Sequence, residues 1–227
     1  MNNAIYVLGD IHGNWNPLLT KIDEYDIRDC TIICVGDIGL GFKDFEDQEY
    51  ELTAVNQKLR KRRIKFLGIR GNHDDPHYFD GGYDFSNMEF LRDYAVKKIE
   101  GRTFQFVGGA VSVDRTWEKR VEGSSYWKDE VFDYNPDKFV KCDVLITHSA
   151  PSWNGPADRD PISSWCDNDK TLWAELKLER LAHSRAIFHC KPSRHYCGHF
   201  HVSSTAERDG CVSRILDIDE LLEITHH

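Results

Sequence analysis

Ile5-Tyr6-Val7-Leu8-Gly9-Asp10-Ile11-His12-Gly13-Asn14 joins a short apolar run to a turn that carries a carboxylate and an imidazole. A run of that length ending on glycine predicts a buried strand. The pattern returns twice. Residues 31–35 lead into Gly36-Asp37-Ile38-Gly39, and residues 65–69 lead into Arg70-Gly71-Asn72-His73-Asp74-Asp75. Amphipathic segments separate the three runs. One begins near Asn16-Pro17, a capping residue followed by proline at the first helical position, and turns Leu18, Leu19 and Ile22 inward. The other spans 45–59, with Leu52, Val55 and Leu59 at helical spacing. This β-α-β-α-β order predicts an α/β fold with parallel strands joined by right-handed crossovers. In such sheets, ligands gather at the carboxyl ends of the strands.

Further along, residues 104–107 and 110–113 flank Gly108-Gly109 and predict two antiparallel strands, and residues 144–147 predict another buried strand. Residues 116–135 mix aromatic and charged side chains without a period, which predicts a long surface loop or lid. A helix is expected from Lys170 to about Cys190, with Leu172, Leu176 and Leu181 on one face. Pro192 stops it, and strands over 194–197 and 212–218 follow. No repeat, low-complexity tract or linker divides the chain, so residues 1–225 read as one domain. His226 and His227 are set aside as the start of a purification tag.

Composition narrows the classes. With 227 residues, 40% hydrophobic and 30% charged, the chain is neither collagenous, coiled-coil nor disordered. It contains no run of about 18 apolar residues, and its first ten residues lack a basic region and a small-residue cleavage site. A cytoplasmic location and no membrane partner are therefore expected. Seven cysteines, odd in number and without a CxxC pair, suggest neither a disulfide framework nor a zinc ribbon. The 38 acidic residues outnumber the 29 basic ones, for a formal charge of -9, which weakens non-specific binding to nucleic acid. The one strongly basic run, residues 58–63, reads as the solvated end of a helix. A phosphorylated ligand would need local positive charge, from arginine and lysine or from bound metal ions.

The chemistry gathers at the predicted strand ends. To the three blocks above, Thr147-His148 adds a fourth and Gly198-His199-Phe200-His201 a fifth. Each alone has an ordinary explanation: a strand-end Asp caps a helix, Asn72 caps a turn, His148 is a hydrogen-bonded core histidine, and His199 and His201 are a surface pair. That explanation must hold five times over, always at the same rim. Asp and Asn oxygens mixed with imidazoles suit Mn²⁺, Fe²⁺ or Zn²⁺ better than Mg²⁺ or Ca²⁺. Seven candidate ligands exceed one tetrahedral ion. They suit two ions about 3.5–4 Å apart sharing a carboxylate, an arrangement that serves phosphoester hydrolysis.

The five blocks, D-x-H, GD, GNH[DE], a lone H and GHxH, run in order from Asp10 to His201 and resemble the calcineurin-like metallophosphoesterase superfamily. That resemblance implies a four-layer α/β/β/α sandwich of two mixed β-sheets flanked by helices. By position it assigns Asp10, His12 and His201 to one metal and Asn72, His148 and His199 to the other, with Asp37 bridging them. It makes His73 the catalytic residue that protonates the leaving-group oxygen or holds the phosphoryl group. The cofactors it implies are two divalent ions, Mn²⁺ first and Fe²⁺ or Zn²⁺ as alternatives. They would supply a bridging hydroxide for attack on a phosphoester.

The pattern also departs from one branch. Protein phosphatases of the superfamily carry GDxVDRG, but here Leu40 and Gly41 stand where that motif has its second Asp and its Arg, which disfavours a protein phosphatase. Phosphate contacts must come from elsewhere. Asn14, Arg70 and Arg115 are the candidates for substrate binding, together with the 116–135 loop, though each can equally serve the fold. Trp15, Trp117, Tyr126 and Trp127 would stack on a base if they line the cleft, and packing on the protein's own surface is the commoner use of such residues. By elimination, the expected partner is a small phosphorylated substrate. A phosphodiester of a nucleotide or small organic phosphate comes first and a phosphomonoester close behind. A nuclease would show an extended basic track, which is lacking. The alternative from another class is a catalytically silent scaffold, which has no physical need for an intact set of seven ligands.

Overall fold

The three apolar runs that open the chain become β1 (Ala4–Leu8), β2 (Cys30–Cys34) and β3 (Ile64–Gly68), paired in parallel. They belong to a computed structural model that describes residues 3–156 and 160–225, so His226 and His227 lie outside the described residues. β4 (Met88–Phe90) extends the sheet in parallel beyond β3, and β11 (Leu221–Glu223) closes it antiparallel to β1. The second sheet holds β5 (Ala95–Ile99), β6 (Arg102–Val107), β7 (Val144–Thr147), β8 (Arg194–Cys197), β9 (Ser204–Arg208) and β10 (Cys211–Ile215). Its order is β5-β6-β7-β8-β10-β9, with the four inner strands parallel and the two edges antiparallel.

Successive side chains of a strand point to opposite faces, and that alternation builds the layers. From the first sheet, Leu8, Ile32, Cys34, Ile64 and Phe66 pack against α1 (Asn16–Glu24) and α2 (Phe45–Lys61) through Leu18, Ile22, Leu52, Val55 and Leu59. Ile5, Val7, Ile33 and Leu67 point the other way, onto Phe104, Phe106, Val144 and Ile146 of the second sheet. On the far face of that sheet, Val107, Leu145 and Cys211 meet Ala186, Ile187 and Cys190 of α4 (Leu172–Cys190). The result is an α/β/β/α sandwich of two mixed sheets. Strands buried on both faces read as continuous apolar runs, which is why the central strands were visible in sequence.

Several local expectations change. Asn16 is the first residue of α1 rather than its cap, and the Asn14 side-chain oxygen accepts its N–H at 3.3 Å. Residues 110–113 form no strand. Gly108 and Gly109 cross closely over Arg70, and the Gly109 N–H donates to the Arg70 carbonyl at 2.9 Å. The next N–H groups go to acidic residues: Ala110 to the Glu130 carbonyl, Val111 to the Glu179 carboxylate at 2.6 Å, and Ser112 to the Glu130 carboxylate at 3.2 Å. With those donors satisfied, no strand ladder is required, and β6 takes β5 as its antiparallel partner instead. Leu181 is 45% exposed. The buried stripe of α4 runs through Leu172, Leu176, Glu179, His183, Ala186 and Cys190, where two polar residues disguise the helical spacing. A short helix, α3 (Ser163–Asn168), precedes it. The final expected strand ends at Ile215, and the chain then returns to the first sheet as β11.

All seven cysteines are free and buried. Among the described residues, no helix is long and apolar enough to cross a membrane.

Burial pushes the Glu179 carboxyl up to about 7. A folded-state value above the unfolded one means the folded chain holds a proton that the unfolded chain releases, so stability is greatest below about 4.5 and is lost as pH rises through 7. Glu179→Gln is isosteric and does not titrate. Its urea unfolding free energy relative to wild type is expected to rise on the order of 2–3 kcal/mol between pH 5 and pH 8. A difference that stays constant across that range contradicts the account.

Candidate metal centre

All five ligand-bearing blocks lie in loops at the carboxyl ends of β1, β2, β3, β7 and β8. These loops are held in unusual conformations. His12, Asp37, His199 and His201 all have φ between 45° and 68°, a left-handed region that side chains other than glycine rarely adopt. Backbone contacts over-determine them: the N–H groups of Ile11 and His12 both donate to the Asp37 carbonyl, at 3.2 and 2.8 Å. Two glycines make the close approaches possible. A Cβ at Gly71 would collide with the Asp37 carboxylate, and one at Gly198 would collide with that of Asp10.

Asp74, fully buried, ties two of the loops together. Its carboxylate accepts the N–H groups of Ile38, Gly39, Leu40 and Gly71 at 3.1, 2.7, 2.9 and 2.7 Å. Burial, helped by the neighbouring Asp37 charge, raises this carboxyl to about 7, and the N–H groups of Gly71, Leu40 and Ile38 work against that rise.

The candidate ligands fall into two groups that share Asp37. In the first, Asp10 Oδ2 lies 3.3 Å from His201 Nε2, which lies 3.1 Å from His12 Nε2, and His12 Nε2 is 3.8 Å from Asp37 Oδ2. One ligand atom from each of Asp10, His12, Asp37 and His201 falls within 4.8 Å of the others. In the second, Asn72 Oδ1 lies 2.8 Å from His199 Nδ1 and 3.1 Å from His148 Nε2, and His148 Nε2 is 3.2 Å from Asp37 Oδ1. Asp37 therefore turns one carboxylate oxygen to each group. The His148 Nδ1 donates to the Val35 carbonyl at 2.9 Å, which aims Nε2 at the centre.

The donor set fits divalent cations. Asp10 Oδ1 is buried with no hydrogen-bond partner in the protein, and such an orphaned oxygen is costly unless an ion or water meets it. Two imidazole nitrogens facing each other at 3.1 Å bring converging lone pairs into one place. Within the protein, His148 supplies compensating charge. Burial disfavours a charged His148, but the Asp37 carboxylate beside it overrides this and raises the imidazole to about 10. Asp37, although burial opposes its charge, is held well below the usual carboxylate range by His148, His73 and His12. Burial drives His199 down to about 3.

His73 stands at the edge of this centre. Its backbone N–H donates to Asp37 Oδ1 at 2.7 Å, and its ring stacks on Phe42 with centroids 5.7 Å apart. Burial, with Arg120 and His12, lowers its imidazole against the pull of Asp37. A cleft of about 310 Å³ opens here, lined by Asp37, Asn72, His73, His199 and His201 and by Val113, Asp114 and Trp165. A wider groove of about 850 Å³ runs along α4 and touches none of the candidate ligands.

The expected substrate-binding residues are engaged elsewhere. All five N–H donors of Arg70 are spent within the protein: Nε and Nη2 on Asp93 at 3.1 and 2.7 Å, and the remainder on the carbonyls of Asp129, Glu130 and Val131. It anchors the 129–131 segment and has no donor left for phosphate. Arg115 binds Asp169 at 2.7 Å, Glu175 at 2.5 Å and the Thr171 hydroxyl at 3.0 Å, fastening the loop to the start of α4. Asn14 is exposed and bonds Asn16. Trp15 and Trp127 are buried, and Trp117 is exposed.

Two residues of the site escaped the sequence reading. Arg120, from the 116–135 loop, places Nη1 3.3 Å from His73 Nδ1. Trp165, on α3, reaches the cleft from a helix that the sequence did not announce. Aromatic and basic residues are common in both segments, and no spacing marks these two.

The chain matches the calcineurin-like phosphoesterase family model over residues 4–203 and belongs to that family. Membership supports metal-dependent phosphoester hydrolysis in general terms, in keeping with the cluster of Asp and His ligand atoms here. No curated protein matches the chain. Among solved structures, phosphopantetheinyl hydrolase (PptH) from Mycobacterium tuberculosis is 13% identical with a TM-score of 0.47, covering 100% of this chain and 97% of its own. GAP50, the anchor in the inner membrane complex of Plasmodium, is 11% identical with a TM-score of 0.47, covering 95% of this chain and 71% of its own.

Removing the Asp74 carboxylate strands four backbone donors. Asp74→Ala is expected to cost about 3–5 kcal/mol in urea unfolding. A cost below about 1 kcal/mol would mean that the two loops hold their shape without it.

Proposed function

We propose that this chain is a dinuclear metal-dependent hydrolase of phosphoesters, carried on a single domain. The observation that supports it most is the Asp37 carboxylate, which turns one oxygen to each of two ligand groups while Asp10 Oδ1 waits buried and unpartnered. In this reading Asp10, His12 and His201 hold one ion, Asn72, His148 and His199 hold the other, and Asp37 joins both. Mn²⁺ is the ion of first choice. Two such ions would activate water and neutralise charge on the phosphoryl oxygens.

The protein's own groups orient the rest. Val35 fixes the ring of His148, Ser112 takes the Asn72 amide nitrogen at 3.0 Å so that its oxygen faces His148 and His199, and the Asp10 carboxylate holds the His199 backbone at 2.9 Å. His73 acts on the phosphoryl group or the leaving oxygen from the cleft. A phosphodiester of a nucleotide or small organic phosphate is the favoured substrate, with a phosphomonoester second. Trp165 in the cleft wall offers an apolar surface to the organic group of either ester. Seven buried free thiols accord with a reducing, cytoplasmic setting.

Chelator-stripped protein re-supplied with Mn²⁺ is expected to cleave bis(p-nitrophenyl) phosphate faster than p-nitrophenyl phosphate. Asp37→Asn is expected to lower turnover at least roughly 10³-fold while the chain stays folded by circular dichroism. Monoester preference would overturn the substrate assignment. A metal-loaded, folded wild type silent on both would overturn the hydrolase reading and favour a scaffold.

A further inference from the structure

Arg120 arrives at the centre from a surface loop and is nonetheless almost fully enclosed, its side chain 4% exposed. Three contacts hold it: Nη2 donates to the Ser112 hydroxyl at 2.7 Å, Nε pairs with Asp114 Oδ1 at 3.2 Å, and the guanidinium lies 5.9 Å from the centre of the Phe42 ring. The loop behind it is fastened by Arg70, which binds the carbonyls of 129, 130 and 131, and by Glu130, whose carboxylate takes the Ser112 N–H. The fourth contact is the informative one. Nη1 lies 3.3 Å from His73 Nδ1.

A guanidinium has donors only and stays charged at any ordinary pH. In that contact Arg120 must donate, and His73 Nδ1 must accept with a bare lone pair. The single ring proton then belongs on Nε2. Phe42 stacks on one face of the imidazole, with the rings at an interplanar angle of 30°. We propose that Arg120 is the positioning residue that fixes His73 with its proton on Nε2, making His73 a hydrogen-bond donor to the phosphoryl group rather than the acid for the leaving group.

The chemistry follows from that tautomer. An imidazole with one proton that surrendered it would become an imidazolate, far too basic to form here, so His73 keeps its proton throughout. It can stabilise negative charge that grows on a phosphoryl oxygen, as a preorganised donor does. The bond from phosphorus to the leaving oxygen breaks, its electron pair stays on that oxygen, and solvent supplies the proton. Attacking water forms the new phosphorus–oxygen bond and gives up one proton to solvent, so the proton lost there balances the one the leaving oxygen takes up. Leaving groups that depart readily as anions, such as phenolates or phosphates of an anhydride, are then favoured over simple alkoxides. The kinetic part of this inference rests on the hydrolase reading above. The tautomer does not.

The test uses the full-length, Zn²⁺-loaded chain labelled with ¹⁵N in its histidine rings. At pH 8, His73 is expected to show a protonated Nε2 and a bare Nδ1. Arg120→Met should leave the two tautomers mixed, and Arg120→Lys, which keeps a donor, should restore the single form. A wild-type His73 protonated on Nδ1, or already mixed, overturns the proposal whatever the enzyme's activity. Kinetics with a series of aryl phosphodiesters gives the second arm. His73→Ala is expected to lower kcat by roughly 10²–10³-fold and by the same factor for every leaving group, and Arg120→Met should cost nothing more in the His73→Ala background. A loss that grows with leaving-group basicity overturns the donor role and restores the acid. A fixed tautomer in a chain that hydrolyses none of the series upholds the positioning by Arg120 and removes the hydrolase reading alone.

Discussion

Four backbone N–H groups from two loops converge on the buried carboxylate of Asp74, and the remainder of the centre is built outward from that meeting. The carboxylate holds the turn after β2 against the turn after β3, so Asp37 and the Asn72-His73 pair are fixed relative to one another. Asp37 then takes over. Its carbonyl accepts from Ile11 and His12, which brings in the loop after β1, and its side chain accepts the His73 N–H and approaches His148 after β7. Asp10 completes the ring by accepting the His199 N–H from the loop after β8. Five loops are tied in this way before any cation is considered. A site that must hold two ions needs such preorganisation, because the ligands must stay near each other against their own repulsion.

That repulsion is considerable. Asp10, Asp37 and Asp74 are all buried within one small region of a chain whose net charge is already -9. Burying one carboxylate without compensation is expensive, and the protein divides the compensation by position. Asp74, surrounded by backbone donors, needs no cation. Asp37 leans on the imidazoles around it, and Asp10 keeps one oxygen without a partner. Of the three, Asp10 is the one left with an oxygen that no protein donor meets, and it is one of the residues assigned to metal. The acidity of the chain is thus offset locally, by the imidazoles around Asp37 and the backbone donors around Asp74.

The central strands and their loops were legible because β1, β2, β3 and β7 are largely buried on both faces, which compresses their sequences into short apolar runs that end abruptly on Gly, Asp or His. The edges were not. β9 reads Ser-Thr-Ala-Glu-Arg and is largely exposed, and β4 and β11 have three residues each, so none carries a pattern that separates it from a loop. Residues 110–113 misled in the opposite direction: they are apolar enough for a strand, but acidic side chains distant in sequence take their N–H groups. Arg70 misled as well. Its place beside Gly71 suggests a phosphate contact, whereas Asp93 and three carbonyls from the loop consume it. Arg120 is the counterpart, invisible in sequence because its partners His73, Ser112 and Asp114 are assembled only by the fold.

The most direct test of the account is anomalous diffraction from crystals equilibrated with Mn²⁺. Two peaks about 3.5–4 Å apart are expected, with Asp37 between them, Asp10, His12 and His201 around one, and Asn72, His148 and His199 around the other. A single peak, or peaks away from Asp37, would contradict a dinuclear centre built from these seven residues.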